Sequence, residues 1–185
     1  MQEQDEQHVA SAVAAATKQR CAEAATLRAH DNQHWWRLRE AALYAASSCI
    51  PGGDAGDELA IAPPEALDGH QLLTDVLQQD LQASDVPPLL RGQALWLAAK
   101  LSSSLPKERA AQLLSPAVTA LQHGQAAPVR MQACRAVARL YKVCDHDAGA
   151  QHVADVLRHL TDFTVQADLL QLFVDTLLVR TSACG

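Results

Sequence analysis

The chain has 185 residues, 49% of them hydrophobic, and a net charge of −6 from 15 Lys and Arg against 21 Asp and Glu. A chain of this length fits one domain, its apolar content excludes wholesale disorder, and its negative charge argues against direct nucleic-acid binding, which needs a basic patch. No apolar run approaches the roughly 18 residues of a membrane span, and the 35 Ala and 26 Leu favour an all-α fold, because both residues have high helix propensity.

Two helices and a long loop are predicted for the first third of the chain. Residues 4–29 form one Ala-rich helix, which ends at the turn-favouring Asp31. Apolar residues at three- and four-residue spacing predict a second helix over 34–49. The Gly- and Pro-rich stretch 51–64 predicts a loop. The first helical hairpin is therefore expected at 4–50.

Three more hairpins are predicted after the loop, at 65–103, 106–144 and 150–180. Each contains two amphipathic stretches, and proline stands at the expected start of several helices, where its missing N–H costs nothing. Pro116 lies inside one helical pattern, so a kink or a break is expected there. The chain is thus predicted to contain eight helices in about four antiparallel hairpins.

An internal repeat relates the second helices of these hairpins. An apolar residue and an Arg precede a run of small residues at Arg91 and again at Arg130, and an earlier copy with a wider spacing stands at Arg37. The spacing of the later two copies is a period near 40 with two helices per unit, which is typical of HEAT and armadillo repeats. We therefore expect residues 1–185 to form a single HEAT-repeat α-solenoid segment, as a fragment of a longer solenoid. The repeated Arg is expected to reach an acid or a carbonyl at an adjacent turn.

Two aromatic motifs carry a resemblance to a known family. The segment His34-Trp35-Trp36-Arg37-Leu38-Arg39-Glu40-Ala41-Ala42, the segment Ala94-Leu95-Trp96-Leu97-Ala98-Ala99 and the helix that follows Pro128-Val129-Arg130 resemble the importin-β (β-karyopherin) superfamily, and within it the importin-9 group. The Arg and Gly before the second motif are interchanged relative to the family pattern. The resemblance extends over nearly the whole chain, as a central slice of a much longer receptor.

The resemblance implies a nuclear transport receptor that shuttles between cytoplasm and nucleus. Such a receptor carries basic proteins, with core histones as the expected cargo, and releases them in response to the Ran GTPase. No specific Ran contact can be assigned to a residue of this sequence. The alternatives are a HEAT-repeat scaffold subunit of a stable complex and an accessory domain of an enzyme.

Partner-binding residues are expected in two places. Trp36 either packs between hairpins, as the other tryptophans do, or anchors a partner, since exposed aromatic residues are common in interfaces. The acids most available to a basic cargo are Asp54, Asp57 and Glu58 in the long loop and Asp145 and Asp147 in a turn, and the three loop acids are the predicted contacts.

No catalytic or metal site is predicted. The sequence contains no phosphate-binding loop, nucleophile elbow or catalytic triad pattern, so the protein is not expected to be an enzyme or to need a cofactor. The densest group of potential ligands, Cys144-Asp145-His146-Asp147, lacks a second pair at metal spacing and is more typical of a turn between helices. The five cysteines are odd in number, which fits buried free thiols in a reducing compartment.

Overall fold

A computed structural model describes residues 2–48, 50, 70–121 and 125–144, and within these ranges the fold is all-α. The predicted loop 51–64, the predicted hairpin 150–180 and the acidic turn at Asp145 lie outside the described residues. The described helices are α1 (Gln2–Ala29), α2 (Trp35–Ser48), α3 (His70–Gln82), α4 (Pro88–Leu101), α5 (Lys107–Thr119) and α6 (Ala127–Val143), with a 3-10 turn at Ser102–Ser104.

The turn between α1 and α2 forms where the sequence predicted it. Asp31 adopts a left-handed conformation, with a φ of 53°. The N–H of Asn32 donates to the Leu27 carbonyl at 3.0 Å, which completes a Schellman-type helix end. The Asn32 side chain then accepts from the N–H of His34 at 2.8 Å and leads the chain into α2. Short polar side chains tolerate the left-handed conformation, and this explains why the helix ends here.

The six helices pack as three consecutive pairs that are stacked side by side. Helix α1 packs on α2, α3 on α4, and α5 on α6, so each pair is a helical hairpin. The second helices form a row in which α4 contacts both α2 and α6, and α3 contacts α5 on the other side of the core. We call α2, α4 and α6 the second-helix layer.

The repeat that relates Arg91 to Arg130 is also a repeat of burial. When α4 and α6 are aligned on these two arginines, all seven buried residues of α4 have a buried counterpart in α6. Small residues occupy several of these buried positions, and Ala94 and Ala133, which are equivalent in the two helices, are both fully buried. Helices α4 and α6 therefore bury equivalent faces, and the sequence repeat is also a repeat of packing.

The first hairpin follows a different register from the one predicted. The buried residues of α2 match those of α4 when Trp36, and not Arg37, is aligned with Arg91. Arg37 is exposed, and its guanidinium lies 5.5 Å from the centre of the Trp36 ring. The prediction aligned residue types, whereas burial follows the face of the helix, and the two criteria differ here by a single position.

Arg91 and Arg130 each contact a carbonyl at the adjacent turn, which is one of the two kinds of acceptor that the sequence predicted. Arg91 donates to the carbonyl of Ala83 at 2.6 Å, and Arg130 donates to the carbonyl of Leu121 at 3.1 Å. Each acceptor lies just after the end of the first helix of the same hairpin, where helix carbonyls lack partners within the helix. A charged donor is well suited to this position, because a helix carries partial negative charge at its C-terminus.

Pro116 does not break its helix. Helix α5 continues through Pro116 to Thr119, and the N–H of Ala120 donates to the Pro116 carbonyl at 3.0 Å. Proline removes the hydrogen bond to the carbonyl of Gln112, and Gln112 is exposed, so water can satisfy that carbonyl. The sequence predicted a kink or a break at Pro116, and the break is wrong, because the helix continues beyond this residue. The three described cysteines, Cys21, Cys134 and Cys144, are buried and form no disulfide with one another, as expected.

We expect Ala133→Asp to destabilise the protein by at least about 3 kcal/mol, because it places an unpaired carboxylate at a fully buried position of α6. Ala45→Asp is the matched control: Ala45 is exposed on α2, and the same change there should cost less than about 1 kcal/mol of helix propensity. Urea unfolding followed by circular dichroism measures both changes. Equal midpoints for Ala133→Asp and wild type would show that position 133 is open to water.

Candidate functional site

A groove runs across the exposed side of the second-helix layer. It has a volume of about 330 Å³ and is formed by residues of α2, α4 and the first turns of α6. Its lining is uncharged and mainly apolar, and consists of Tyr44, Pro88, Leu89, Gly92, Gln93, Trp96, Pro128 and Gln132.

The groove contains an unusual concentration of exposed apolar side chains. Among the described residues, only Val9, Tyr44 and Leu89 are large hydrophobic residues with high exposure, and the last two, at 58% and 61%, line the groove. Single exposed hydrophobic residues are common on protein surfaces, whereas a cluster in a concavity is typical of a binding site.

Gly92 lies in the lining of the groove and faces open space. A Cβ atom placed on Gly92 would meet no other atom within 4 Å, so the space beside α4 at this point is empty. Glycine in the interior of a helix costs about 1 kcal/mol relative to alanine. The structure shows no packing need for glycine at this position.

The walls of the groove are held by contacts between α2 and α4. The Lys100 ammonium donates to the carbonyls of Ser47 and Ile50 at 3.1 and 3.2 Å, at the C-terminal end of α2. The same ammonium lies 4.6 Å from the centre of the Trp96 ring, which is a cation–π distance. Lys100 therefore links the Trp96 ring to the C-terminal end of α2.

The residues predicted to bind a partner are not brought together in the described part of the chain. Trp36 is half-buried and packs against the hydrophobic core, and it does not line the groove. Asp54, Asp57 and Glu58 lie outside the described residues. Their role as partner contacts therefore stays a prediction.

A second cluster, made of polar and charged side chains, is buried between α1, α2 and α3. Arg39 and Asp80 form an ion pair with a 3.6 Å distance between Nη1 and Oδ2, and the two side chains are 3% and 0% exposed. Neither Asp80 oxygen accepts a hydrogen bond, and the buried Thr17 hydroxyl of α1 is also without one. Burial raises the pKa of Asp80, while the positive charge of Arg39 opposes this shift. Burial likewise raises the pKa of the Cys21 thiol.

The buried pair acts as a structural contact between the first two hairpins. Arg39 stands at the position that Ala94 occupies in α4 and Ala133 in α6. By the burial pattern of α3 and α5, Asp80 likewise corresponds to Ala117. A charged pair thus replaces a pair of alanines at this junction, and its enclosure leaves no access for a substrate.

The described residues offer no metal site. No group of three or more His, Cys, Asp and Glu side chains converges anywhere in the described ranges. Nor is any described helix both long and apolar enough to cross a membrane. No protein-family model matches the chain.

Sequence analysis missed both the groove and the buried pair. Tyr44, Gly92 and Trp96 were visible only as members of the repeat, and nothing in the sequence signals that they share one concavity. The available signal for the groove was Gly92, a helix-disfavouring residue inside a strong helical pattern. For the buried pair, the signal was Arg39 on the apolar stripe of α2, where the other hairpins have alanine.

We expect Arg39→Ala and Asp80→Ala each to cost about 3–5 kcal/mol, because each leaves a buried charge without its partner. The double variant should cost much less than the sum, since two alanines occupy the equivalent positions between the next hairpins. A double-mutant cycle from urea unfolding measures the coupling. Additive effects would show that the two charges do not stabilise each other.

Stability should also depend on the ionisation of Asp80. Because burial raises the pKa of Asp80 above 3.8, the folded state binds this proton more tightly than the unfolded state. The free energy of unfolding should therefore fall as the pH rises from about 3.8 through the folded-state pKa. The difference between wild type and Asp80→Asn across this range, measured by urea unfolding, isolates the effect. A difference that grows in favour of the wild type with rising pH would mean that the charge of Arg39 outweighs burial.

Proposed function

We propose that this chain is a HEAT-repeat segment of a nuclear transport receptor that is similar to importin-9 and carries basic cargo into the nucleus with Ran-dependent release. The observation that carries the proposal is the recurrence of the buried residues of α4 at equivalent positions of α6, one sequence repeat later. Stacked hairpins with a period near 40 are typical of HEAT proteins, in which each unit contacts only its neighbours.

The repeated arginines give this proposal a second line of support. Arg91 and Arg130 contact equivalent backbone carbonyls of their own hairpins, so the repeat extends to specific polar contacts as well as to apolar positions. An unrelated helical bundle has no reason to repeat such a contact at the same spacing. The aromatic motifs around Trp36 and Trp96 add the resemblance to the importin-β superfamily.

The distribution of charge limits where a basic cargo could bind. Residues 88–144 contain eight Lys and Arg and one acid, Glu108, so they carry +7, whereas the rest of the chain carries −13. A basic protein would be repelled by residues 88–144 and attracted by the acidic remainder of the chain. We therefore assign the cargo contacts to the acidic remainder, with Asp54, Asp57 and Glu58 as the leading candidates.

A scaffold subunit of a stable complex is the second candidate function. The exposed apolar groove favours the scaffold function, because permanent interfaces are more apolar than transient ones. The two functions differ in their partners: a receptor binds basic cargo reversibly and with strong salt dependence, whereas a scaffold subunit remains in a complex of fixed composition.

We expect the chain to bind a core histone dimer, and to bind it more weakly as salt rises, because the screening length falls to about 8 Å at physiological ionic strength. Changing Asp54, Asp57 and Glu58 to Ser should weaken binding. Isothermal titration at two salt concentrations measures both effects.

A matched variant distinguishes the effect of where the acids lie from the effect of the chain's net charge. Changing Glu3, Asp5 and Glu6 of α1 to Ser removes the same number of charges elsewhere and should affect binding less. Equal losses of affinity in the two variants would show that the loop acids act only through the net charge of the chain. Failure of the wild type to bind histones, together with stoichiometric co-purification in a fixed complex, would favour the scaffold function.

A further inference from the structure

The groove on the second-helix layer combines an apolar floor with a basic surrounding. Its lining has no charged residue. Helices α2, α4 and α6 contain eight Lys and Arg but only one acid, Glu40, whereas α1, α3 and α5 contain five Lys and Arg and seven acids. The layer that bears the groove is therefore positive in a chain whose net charge is −6.

Several of these positive side chains lie on the same face as the groove. Arg135 is exposed and follows Gln132 by one helical turn, and Lys142 is exposed two turns further along α6. On the other side of the groove, Arg37 is exposed two turns before Tyr44 on α2. The buried Arg39 of the same layer is neutralised by Asp80 and contributes little to this field.

We propose that the groove binds an acidic peptide segment of a partner protein. A bulky apolar side chain of the peptide enters the space over Gly92, between Tyr44, Leu89 and Trp96, and flanking carboxylates face Arg37 and Arg135. Charge complementarity selects an acidic partner over a basic one, because a basic peptide would meet only like charges apart from Glu40. This inference does not depend on the proposed function, because the groove binds an acidic peptide whereas the proposed cargo is a basic protein.

Gly92 provides the decisive variant. Gly92→Trp fills the groove from its floor, and since nothing lies within 4 Å of a Cβ at this position, the substitution begins in open space. Gly92→Ala is the matched control, because it keeps the groove open and improves helix propensity. Circular dichroism and thermal melting of both variants check that the fold is retained.

The probe is a fluorescein-labelled peptide with a central Phe-Leu pair flanked by Asp and Glu residues, and binding is followed by fluorescence anisotropy. Wild type and Gly92→Ala should bind alike, and Gly92→Trp should lose about tenfold or more in affinity, as expected when a central anchor is excluded. Arg135→Glu should lose about two- to fivefold and should reduce the salt dependence, as expected for an exposed charge. A control peptide with Lys in place of the acids should not bind.

Three results would overturn the proposal. The first is absence of saturable binding of the acidic peptide at concentrations up to about 1 mM. The second is equal binding of the acidic and the basic peptide, which would make the groove unselective for charge. The third is concentration-dependent dimerisation in sedimentation that is abolished by Gly92→Trp, which would assign the groove to a second copy of this chain.

Discussion

The close contact between α4 and α6 is the constraint on which the rest of the described structure depends. Each described hairpin packs against its neighbour, so apolar residues of both become buried between them. Helix α4 contacts α2 on one side and α6 on the other, so the second helices form one continuous layer. Ala94 and Ala133, at equivalent positions of α4 and α6, are both fully buried.

The junction between the first two hairpins uses a different solution. There, Arg39 and Asp80 replace the alanines, and a buried ion pair of this kind adds little stability relative to an apolar contact of the same shape. It does discriminate between partners, because any other pairing of hairpins would bury Arg39 or Asp80 alone at a large cost. The pair therefore has the properties of a contact that specifies which hairpin follows the first, and the shifted register of α2 is consistent with this special junction.

The segregation of charge gives the two sides of the described hairpins different properties. Positive residues collect on the second-helix layer, where the arginines at helix starts close the hairpins and Lys100 caps α2. The exposed residues on the groove face are different ones, Arg37, Arg135 and Lys142. The second-helix layer therefore carries one set of positive side chains that make structural contacts and another that faces solvent beside the groove.

The sequence by itself determined the helical fold, the positions of the described helices to within a few residues and the period of the repeat, and it narrowed the acceptor of Arg91 and Arg130 to an acid or a carbonyl at an adjacent turn. These features follow from local periodicity and from capping chemistry, which act over short stretches of chain. Tertiary structure decided the register of α2, the passage of α5 through Pro116, the Arg39–Asp80 pair and the groove around Gly92. Each of these features depends on which residues of separate helices come to face one another. Burial and the exposure of a carbonyl are properties of the packed chain, and a local sequence pattern does not set them.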